Sequence, residues 1–422
     1  MDFSKYLRLK YILTFSSLNY LQAGISFLVS IFLARELGKE DFGYFSYGMI
    51  FANTISTLMQ FGTDQTLVRD LVQLNKPSLV ISSAAWIWFG MGSLIVAGVT
   101  CWAFFFSGLG YSTSLIVVLC SFLGFTRGMT PAPWFDFKGK ANYQSLIILA
   151  DRLFFLVSAV IIIFYIRNEK VIINVALAQL VCRIATLLAE WLYVVKTATL
   201  IKAPVYSFIK KLMKSNSWVW FAAIGNLLAS QVNQLILDHK FGKEELALYG
   251  FAFQVMMVIR LLQLQVLRLL TPSIAAITKS QAANPVKIKK ALFKFCLTTL
   301  LLSLCIILPA YFIAPYLIGN FINKDFLAAL PVLNIFYLWA MVFGVAIIIN
   351  QFLIGFQLQR FYFICTTTFG LISLLLAWIF IDKYKAPGAA LSVLVTHICS
   401  VVFQLFIVLR HIKKQQHDQK SL

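Results

Sequence analysis

The chain has 422 residues, of which 60% are hydrophobic and only 12% are charged. Soluble domains hold roughly 45–50% apolar and about 25% charged residues, so this composition excludes a soluble globular protein and indicates an integral membrane protein. The net charge of +20 is explained by attraction to anionic lipid headgroups and by membrane topology, and we expect no nucleic-acid partner.

Twelve apolar runs follow one another along the chain, each long enough to cross a bilayer, which takes about 20 residues. The runs are 11–34, 43–62, 81–106, 114–133, 143–166, 171–195, 218–237, 246–267, 294–318, 328–352, 361–381 and 388–410. The predicted fold class is therefore an all-α integral membrane protein with about twelve transmembrane helices. The first run has no small-residue cleavage site, so we expect a retained helix and not a signal peptide.

A short motif occurs twice, almost half the chain length apart. Residues 38–42 read GKEDF and residues 242–246 read GKEEL, and each copy stands between two apolar runs, followed by aromatic residues. Internal repeats of this kind are typical of transporters built from two related halves. The sequence thus predicts two bundles of six helices each.

The boundaries of these bundles follow from the polar stretches. We expect an N-terminal six-helix bundle over 1–200, a linker over 201–217, a C-terminal six-helix bundle over 218–410 and a polar tail over 411–422. Lysines alternate with apolar residues in the linker, which indicates a segment lying along the membrane surface. Most of the 36 Lys and Arg residues fall in the loops on the same side as both ends, so both termini are predicted to be cytoplasmic.

Signals for catalysis and cofactor binding are missing from the sequence. All seven cysteines fall inside the apolar runs with no CxxC spacing, which argues against metal ligation and disulfides. No Walker-type glycine loop is present, so the chain is not expected to hydrolyse a nucleotide. The prediction is a protein that is not an enzyme and that uses no cofactor.

Arginines within the apolar runs are the strongest candidates for function. Arg152 lies about nine residues into the fifth run, roughly 14 Å deep at a rise of 1.5 Å per residue. Arg183 is similarly central in the sixth run, and Arg260 lies in the eighth. A charge at a helix centre costs about 2.5–3.5 kcal/mol on insertion scales, so these residues indicate a wet cavity or buried pairing.

Pairing with carboxylates is the alternative explanation for two of these arginines. Asp151 adjoins Arg152, and Arg183 could be held by Glu190 or Asp136. A polar stripe along one helix face contains four residues, with spacings typical of a helix: Gln179, Arg183, Thr186 and Glu190.

Other charged residues have weaker claims to a role in transport. Arg260 has no carboxylate in its own run, which makes it the clearest candidate, whereas Arg268 is close enough to the boundary to snorkel. Asp64 and Arg69, at the inner end of the second run, fit a boundary pair or a gating or coupling role. Asp151 and Glu190 are further candidates for gating or coupling.

The order of several loose motifs resembles the Wzx-type O-antigen and polysaccharide flippases. Residues 33–45, LARELGKEDFGYF, are similar to the signature that follows the first helix in these proteins. Three later groups of residues agree with this resemblance. The first is FG at 61–62 followed by LVR at 67–69, and the second is PWF at 133–135 followed by Lys138 and by NY at 142–143. The third is NKDF at 323–326 followed by LPVL at 330–333. The second copy of the repeat departs from the signature, with His239 in place of Arg35 and Ala247 in place of Gly43.

This resemblance implies a transporter of the multidrug/oligosaccharidyl-lipid/polysaccharide (MOP) exporter superfamily, in the bacterial inner membrane. Such transporters consist of a V-shaped pair of six-helix bundles that opens alternately to each side. The implied substrate is an undecaprenyl-diphosphate-linked oligosaccharide for O-antigen or capsule assembly, with the polymerase and chain-length regulator of the pathway as partners. Arg152, Arg183 and Arg260 would bind the diphosphate through charge-assisted hydrogen bonds.

Two other functions stay open at this point. A cation-coupled multidrug exporter of the same superfamily would share the fold, but its cavity would be expected to carry carboxylates. A membrane-embedded polysaccharide polymerase or ligase would present a large external loop, whereas the external loops here, such as 107–113 and 319–327, are short. The deep arginines favour an anionic substrate.

Overall fold

The structure is a computed structural model that describes residues 9–73, 76–166, 170–198, 204–279, 285–322, 324–356 and 358–420. All regular secondary structure within these ranges is helical. The chain forms two compact units, Met1–Ala223 and Ile224–Leu422, called unit 1 and unit 2 below.

Unit 1 contains seven helices and the start of an eighth. They are α1 (Leu9–Met59), α2 (Thr63–Gln73), α3 (Pro77–Cys101), α4 (Tyr111–Gly128), α5 (Ala132–Lys138), α6 (Ala141–Ile161), α7 (Val171–Thr197) and the first part of α8 (Tyr206–Leu227). Wider π-helical turns extend α3 over Trp102–Phe106 and α6 over Ile162–Ile166.

Unit 2 contains the end of α8 and four long helices. They are α9 (Asn233–Lys279), α10 (Pro285–Leu317), α11 (Leu330–Gly355) and α12 (Gln359–Lys420). π-Helical turns over Leu228–Val232 and Ile318–Ile322 follow α8 and α10, and a 3-10 helix over Lys324–Ala329 precedes α11.

Nine helical stretches in the described ranges are long and apolar enough to cross a membrane. Three of them contain one residue with a non-helical backbone, which is Gly38 in the first, Gly242 in the sixth and Lys385 in the last. Counting the segments on either side of each kink gives twelve, as the hydropathy of the sequence predicts. The protein is an all-α membrane protein.

The two glycines of the repeated motif adopt nearly the same unusual conformation. Gly38 has φ 75° and ψ −179°, and Gly242 has φ 80° and ψ −171°. This region of backbone space is essentially restricted to glycine, because a Cβ would clash with the neighbouring peptide groups. Each motif therefore turns the chain between two membrane helices at a single residue, in unit 1 and again in unit 2.

The fourth predicted run, 114–133, is shorter in the structure. Helix α4 ends at Gly128, and the chain turns before α5 because Pro131 and Pro133 cannot continue an α-helical hydrogen-bond ladder. Helix α4 packs closely on α1, where a Cβ placed on Gly124 would lie 2.5 Å from the carbonyl oxygen of Ala52. The close approach fixes α4 against α1, and its other side packs on α7.

The predicted linker 201–217 overlaps the first half of α8, and its residues 201–203 lie outside the described ranges. Leu212 of α8 is buried together with Phe61 and Ile87, and all three residues belong to unit 1. Lysines on its other side are exposed, and they are Lys210, Lys211 and Lys214. The apolar side of this amphipathic segment is thus covered by protein. The limits of the bundles and of the tail stay predictions.

Candidate functional site

A cluster of charged and polar side chains lies inside unit 1, among apolar helices. Helix α7 contributes Arg183, Thr186 and Glu190, helix α6 contributes Gln144, Asp151 and Arg152, and the end of α4 with the following turn contributes Arg127 and Thr130. We call this set the unit 1 polar cluster. Helix α7 packs against both α4 and α6, which brings the three sets together.

Arg183 and Glu190 form the best-defined ion pair of this cluster. Arg183 Nη2 lies 3.1 Å from Glu190 Oε2, and the two side chains are 7% and 0% exposed. Glu190 Oε1 accepts a hydrogen bond of 3.3 Å from Gln144 Nε2. Arg183 also donates from Nη1 to Thr186 at 3.2 Å and from Nη2 to Thr130. The pairing weighed for Arg183 in the sequence is present, with Glu190 as the partner.

Asp151 and Arg152 lie next to this pair and are held more loosely. Arg152 Nε is 4.0 Å from Asp151 Oδ2, and the Arg152 side chain is 29% exposed. Asp151 Oδ1 accepts a hydrogen bond of 3.4 Å from Thr186, which links it to the α7 stripe. Arg152 therefore keeps most of its hydrogen-bonding capacity available to a ligand.

Arg127 is a member of the cluster that the sequence analysis did not include among the candidate residues. It interacts electrostatically with Arg152, Asp151 and Arg183. Within the described ranges it has no carboxylate at ion-pairing distance. The sequence held one signal for a role of Arg127, which is a charged residue near the end of an apolar run and ahead of two prolines. It could not show that Arg127 faces α6 and α7, because the orientation of α4 is set by packing.

Two tryptophans fix the turn that carries Thr130. Trp191 of α7 donates from Nε1 to the carbonyl oxygen of Met129 at 2.9 Å, and Trp134 of α5 donates to Thr197 at 2.9 Å. The indole rings thereby attach the α4–α5 turn and α5 itself to α7. The unit 1 polar cluster is consequently built on fixed backbone and not on a loose loop.

The charges of the unit 1 polar cluster do not cancel. Three guanidinium groups, those of Arg127, Arg152 and Arg183, stand against two carboxylates, those of Asp151 and Glu190. Because Glu190 is taken up by Arg183, the remaining positive charge belongs to Arg127 and Arg152 around one carboxylate. Such an arrangement can bind an anion, and guanidinium groups suit phosphate oxygens in particular.

Arg260 lies in unit 2, on α9, and has different surroundings. Its guanidinium carbon is 4.9 Å from the centre of the Phe343 ring, and Nη1 is 3.8 Å from the sulfur of Met257. Among the described residues it has no carboxylate partner, so a structural ion pair to another helix does not account for it. The Nε atom is buried without a hydrogen-bond partner.

The structure brings Arg152 and Arg183 together in unit 1 and places Arg260 in unit 2. Asp64 is exposed in the first turn of α2. Arg69 lies in the same helix, with its side chain outside the described set. Asp151 and Glu190 both belong to the unit 1 polar cluster. Asn323, part of a motif in the sequence, also lies outside the described residues.

Residues 9–275 match the model of a family described as polysaccharide biosynthesis protein. No relative among curated proteins matches the sequence. The match covers more than half of the chain, including residues 9–223 of unit 1 and the start of unit 2.

Several solved structures share the fold at low sequence identity. The lipid II flippase MurJ in an inward closed conformation has a TM-score of 0.72 at 15% identity, covering 96% of this chain and 90% of that one. A multidrug resistance MATE family transporter of the MOP superfamily, facing inward, has a TM-score of 0.72 at 14% identity, covering 95% of this chain and 96% of that one. A MOP superfamily transporter from Pyrococcus furiosus has a TM-score of 0.67 at 14% identity, covering 96% of each chain.

Proposed function

We propose that this chain, which belongs to the family of polysaccharide biosynthesis proteins, moves lipid-linked oligosaccharides across a membrane. The substrate in this proposal is an undecaprenyl-diphosphate-linked repeat unit, carried from the cytoplasmic to the periplasmic leaflet of the bacterial inner membrane. The repeat unit then serves O-antigen, lipopolysaccharide or capsule assembly. Both termini are cytoplasmic in this proposal, and the polymerase and chain-length regulator of the pathway act downstream.

The observation that carries the proposal is the excess of guanidinium over carboxylate groups inside unit 1. A charge in a membrane span costs at least about 2.5–3.5 kcal/mol, and the cost falls when a counter-charge is present. Two of the three guanidinium groups can be balanced by Asp151 and Glu190. The third requires an anion that the described residues of this unit do not supply, and a diphosphate would supply it.

Arginine is well suited to this role because it stays charged at every physiological pH and offers a planar fork of donors. Arg152 has the more accessible side chain, and Arg127 lies near enough to interact with it. Both could bind one diphosphate between α4 and α6. In this proposal Arg183 remains paired with Glu190, holds α7 in place and adds to the positive electrostatic potential of the cluster.

A multidrug exporter is the second candidate, and one observation favours it. Asp151 and Glu190 are carboxylates inside the membrane, as a cation-coupled exporter requires, and the fold is shared with MATE transporters. Glu190, however, is neutralised by Arg183 at 3.1 Å. One carboxylate among three arginines would repel an organic cation, so we favour the anionic substrate.

Loss of the protein in its host separates the two functions. The flippase proposal expects surface glycan to disappear and the lipid-linked repeat unit to accumulate in the inner membrane, with unchanged susceptibility to cationic drugs. Plasmid-borne wild type should restore the glycan, whereas Arg127→Gln/Arg152→Gln should not. Normal surface glycan together with increased sensitivity to organic cations would instead support the exporter.

A further inference from the structure

Unit 2 contains a compact group of aromatic rings next to Arg260. Trp339 and Phe343, one turn apart on α11, stack with ring centres 4.9 Å apart and an angle of 17°. His397 of α12 lies 5.3 Å from Trp339 and 6.2 Å from Phe343, measured between ring centres. Arg260 of α9 lies over Phe343. We call these four residues the unit 2 aromatic cluster.

Three nitrogen atoms of this cluster lack a hydrogen-bond partner although they are buried. They are Arg260 Nε, Trp339 Nε1 and His397 Nε2. The Trp339 side chain is more than nine-tenths buried, at 8% exposure. An unpaired buried polar group costs roughly 1–3 kcal/mol, and buried polar groups in native proteins nearly always have partners. Three in one cluster therefore point to a ligand that the chain itself does not provide.

The chemistry of these atoms defines the ligand. Trp Nε1 and Arg Nε can only donate, and His Nε2 donates when the imidazole carries its proton there. Within the described part of unit 2, no carboxylate pairs with Arg260, so the group lacks the counter-charge that a buried guanidinium needs. A ligand with several acceptor oxygens and a negative charge satisfies both requirements, whereas a cation satisfies neither.

We propose that unit 2 holds a second oxyanion site, in which Arg260, Trp339 and His397 donate to the oxygens of a phosphate-class ligand. The proposal deepens the proposed function and rests on it for the identity of the natural ligand, a diphosphate. It adds Trp339 and His397 as binding residues and places a complete donor set within unit 2.

The neighbouring polar side chain is fixed and would complete the site. Gln263, on the same face of α9 as Arg260, donates from Nε2 to Ser303 and to the carbonyl oxygen of Ala340, both at 2.7 Å. Its Oε1 atom is buried without a partner. Because the amide orientation is set by these two bonds, Oε1 is left as an acceptor for a hydroxyl group attached near the anion.

Binding of pyrophosphate to the purified full-length protein in detergent tests the site. Titration is followed by isothermal calorimetry in an Arg127→Gln/Arg152→Gln background, which removes the proposed anion binding in unit 1. We expect Trp339→Phe and His397→Phe each to weaken binding roughly tenfold, equal to about 1.4 kcal/mol, because each loses one charge-assisted hydrogen bond. Arg260→Gln should abolish binding, and His397→Gln, which keeps a donor, should retain most of it.

Trp102→Phe is the matched control, since Trp102 stacks on Phe51 in unit 1 with ring centres 5.8 Å apart. It should leave the affinity unchanged. Equal affinity of the Arg127→Gln/Arg152→Gln protein with and without Trp339→Phe or His397→Phe would overturn the proposal. If His397→Phe fails to accumulate, the comparison of Trp339→Phe with Trp102→Phe decides the question, since Phe preserves the stack and removes only the N–H group.

A second arm identifies the source of the phosphate. Pyrophosphate and phosphatidylglycerol micelles are compared as probes by thermal unfolding of the Arg127→Gln/Arg152→Gln protein with and without Trp339→Phe. Stabilisation by pyrophosphate identifies a soluble or substrate diphosphate, and stabilisation by phosphatidylglycerol alone identifies a lipid headgroup. No difference between the proteins with and without Trp339→Phe, with either probe, overturns the site. Normal surface glycan after loss of the protein, together with intact pyrophosphate binding in unit 2, would instead count against the proposed function alone.

Discussion

Arg183 Nη2 and Glu190 Oε2 lie 3.1 Å apart, two turns along α7, and both side chains are almost completely buried. A buried charge that loses its partner is strongly destabilising, because its desolvation is no longer offset. The pair therefore has a structural role that can be separated from any contact with substrate.

The first prediction concerns the stability of this pair. Glu190→Gln should destabilise the purified protein by about 3–5 kcal/mol, since it leaves Arg183 buried without a counter-charge. Arg183→Leu/Glu190→Leu should recover most of that loss. Thermal unfolding in detergent measures both. Glu36→Gln, which breaks the partly exposed pair with Arg35, is the control and should cost no more than about 1 kcal/mol.

The second prediction concerns the charge at Arg260. Arg260→Gln and Arg260→Ala should both abolish surface glycan at normal protein levels, because the anion loses its guanidinium partner. Arg260→Lys should keep partial activity, since a point charge survives without the fork of donors. The exposed Arg360 in the same unit supplies the control, and Arg360→Gln should be silent. Normal glycan with Arg260→Gln would contradict a cationic site at this residue.

A third prediction concerns Arg127, which sequence reasoning left out of the site. Arg127→Gln should lower surface glycan at least as much as Arg152→Gln, because both belong to the uncompensated charge of unit 1. Lys138 is a suitable comparison, since it lies over the Trp134 ring at 5.0 Å and outside the polar cluster. Lys138→Gln should have little effect. Full activity of Arg127→Gln would remove Arg127 from the site.

The fourth prediction concerns the kinks in α1 and α9. Gly38→Ala and Gly242→Ala should each destabilise the protein by about 1–3 kcal/mol, since Ala rarely adopts their backbone conformation. Apart from the adjoining residues, a Cβ at either position meets nothing within 4 Å, so any loss comes from the local backbone conformation and not from a clash with packed side chains. Gly98→Ala is the control, because Gly98 is helical with equally open surroundings and the change should be neutral or stabilising.

The fifth prediction concerns topology. A cysteine introduced at the exposed Lys383 should react with an impermeant thiol reagent added to intact cells, and one at the exposed Lys211 should not. Lys243 of the repeated motif is less suitable for labelling, because its side chain is 14% exposed and pairs with Asp238 at 2.6 Å. The unmodified protein controls for its seven native cysteines. Labelling at Lys211 alone would reverse the proposed orientation.

Features that depend on local sequence could be predicted, whereas those that depend on packing could not. The twelve spans follow from hydropathy, and the repeat at Gly38 and Gly242 was visible as a motif, although its backbone angles were not. Arg183 and Glu190 are seven positions apart on one helix, so their pairing could be weighed from spacing alone.

Contacts between distant parts of the chain were not accessible to the same reasoning. Arg127 joins the site because α4 turns that side towards α6 and α7. Trp339 and His397 approach Arg260 only when α9, α11 and α12 pack together, and no local pattern distinguishes them from ordinary apolar packing. The sequence showed His397 as a histidine within the last apolar run, but it gave no indication that Trp339 and Arg260 lie beside it.

The turns at Gly38 and Gly242 show what the two copies of the repeated motif have in common. His239 stands where the first copy has Arg35, and Ala247 stands where it has Gly43, yet both backbones turn through nearly the same angles. The flanking side chains differ, while a residue without a Cβ makes the turn in each copy. The two halves are therefore more alike in the shape of the main chain at this turn than in the charges beside it.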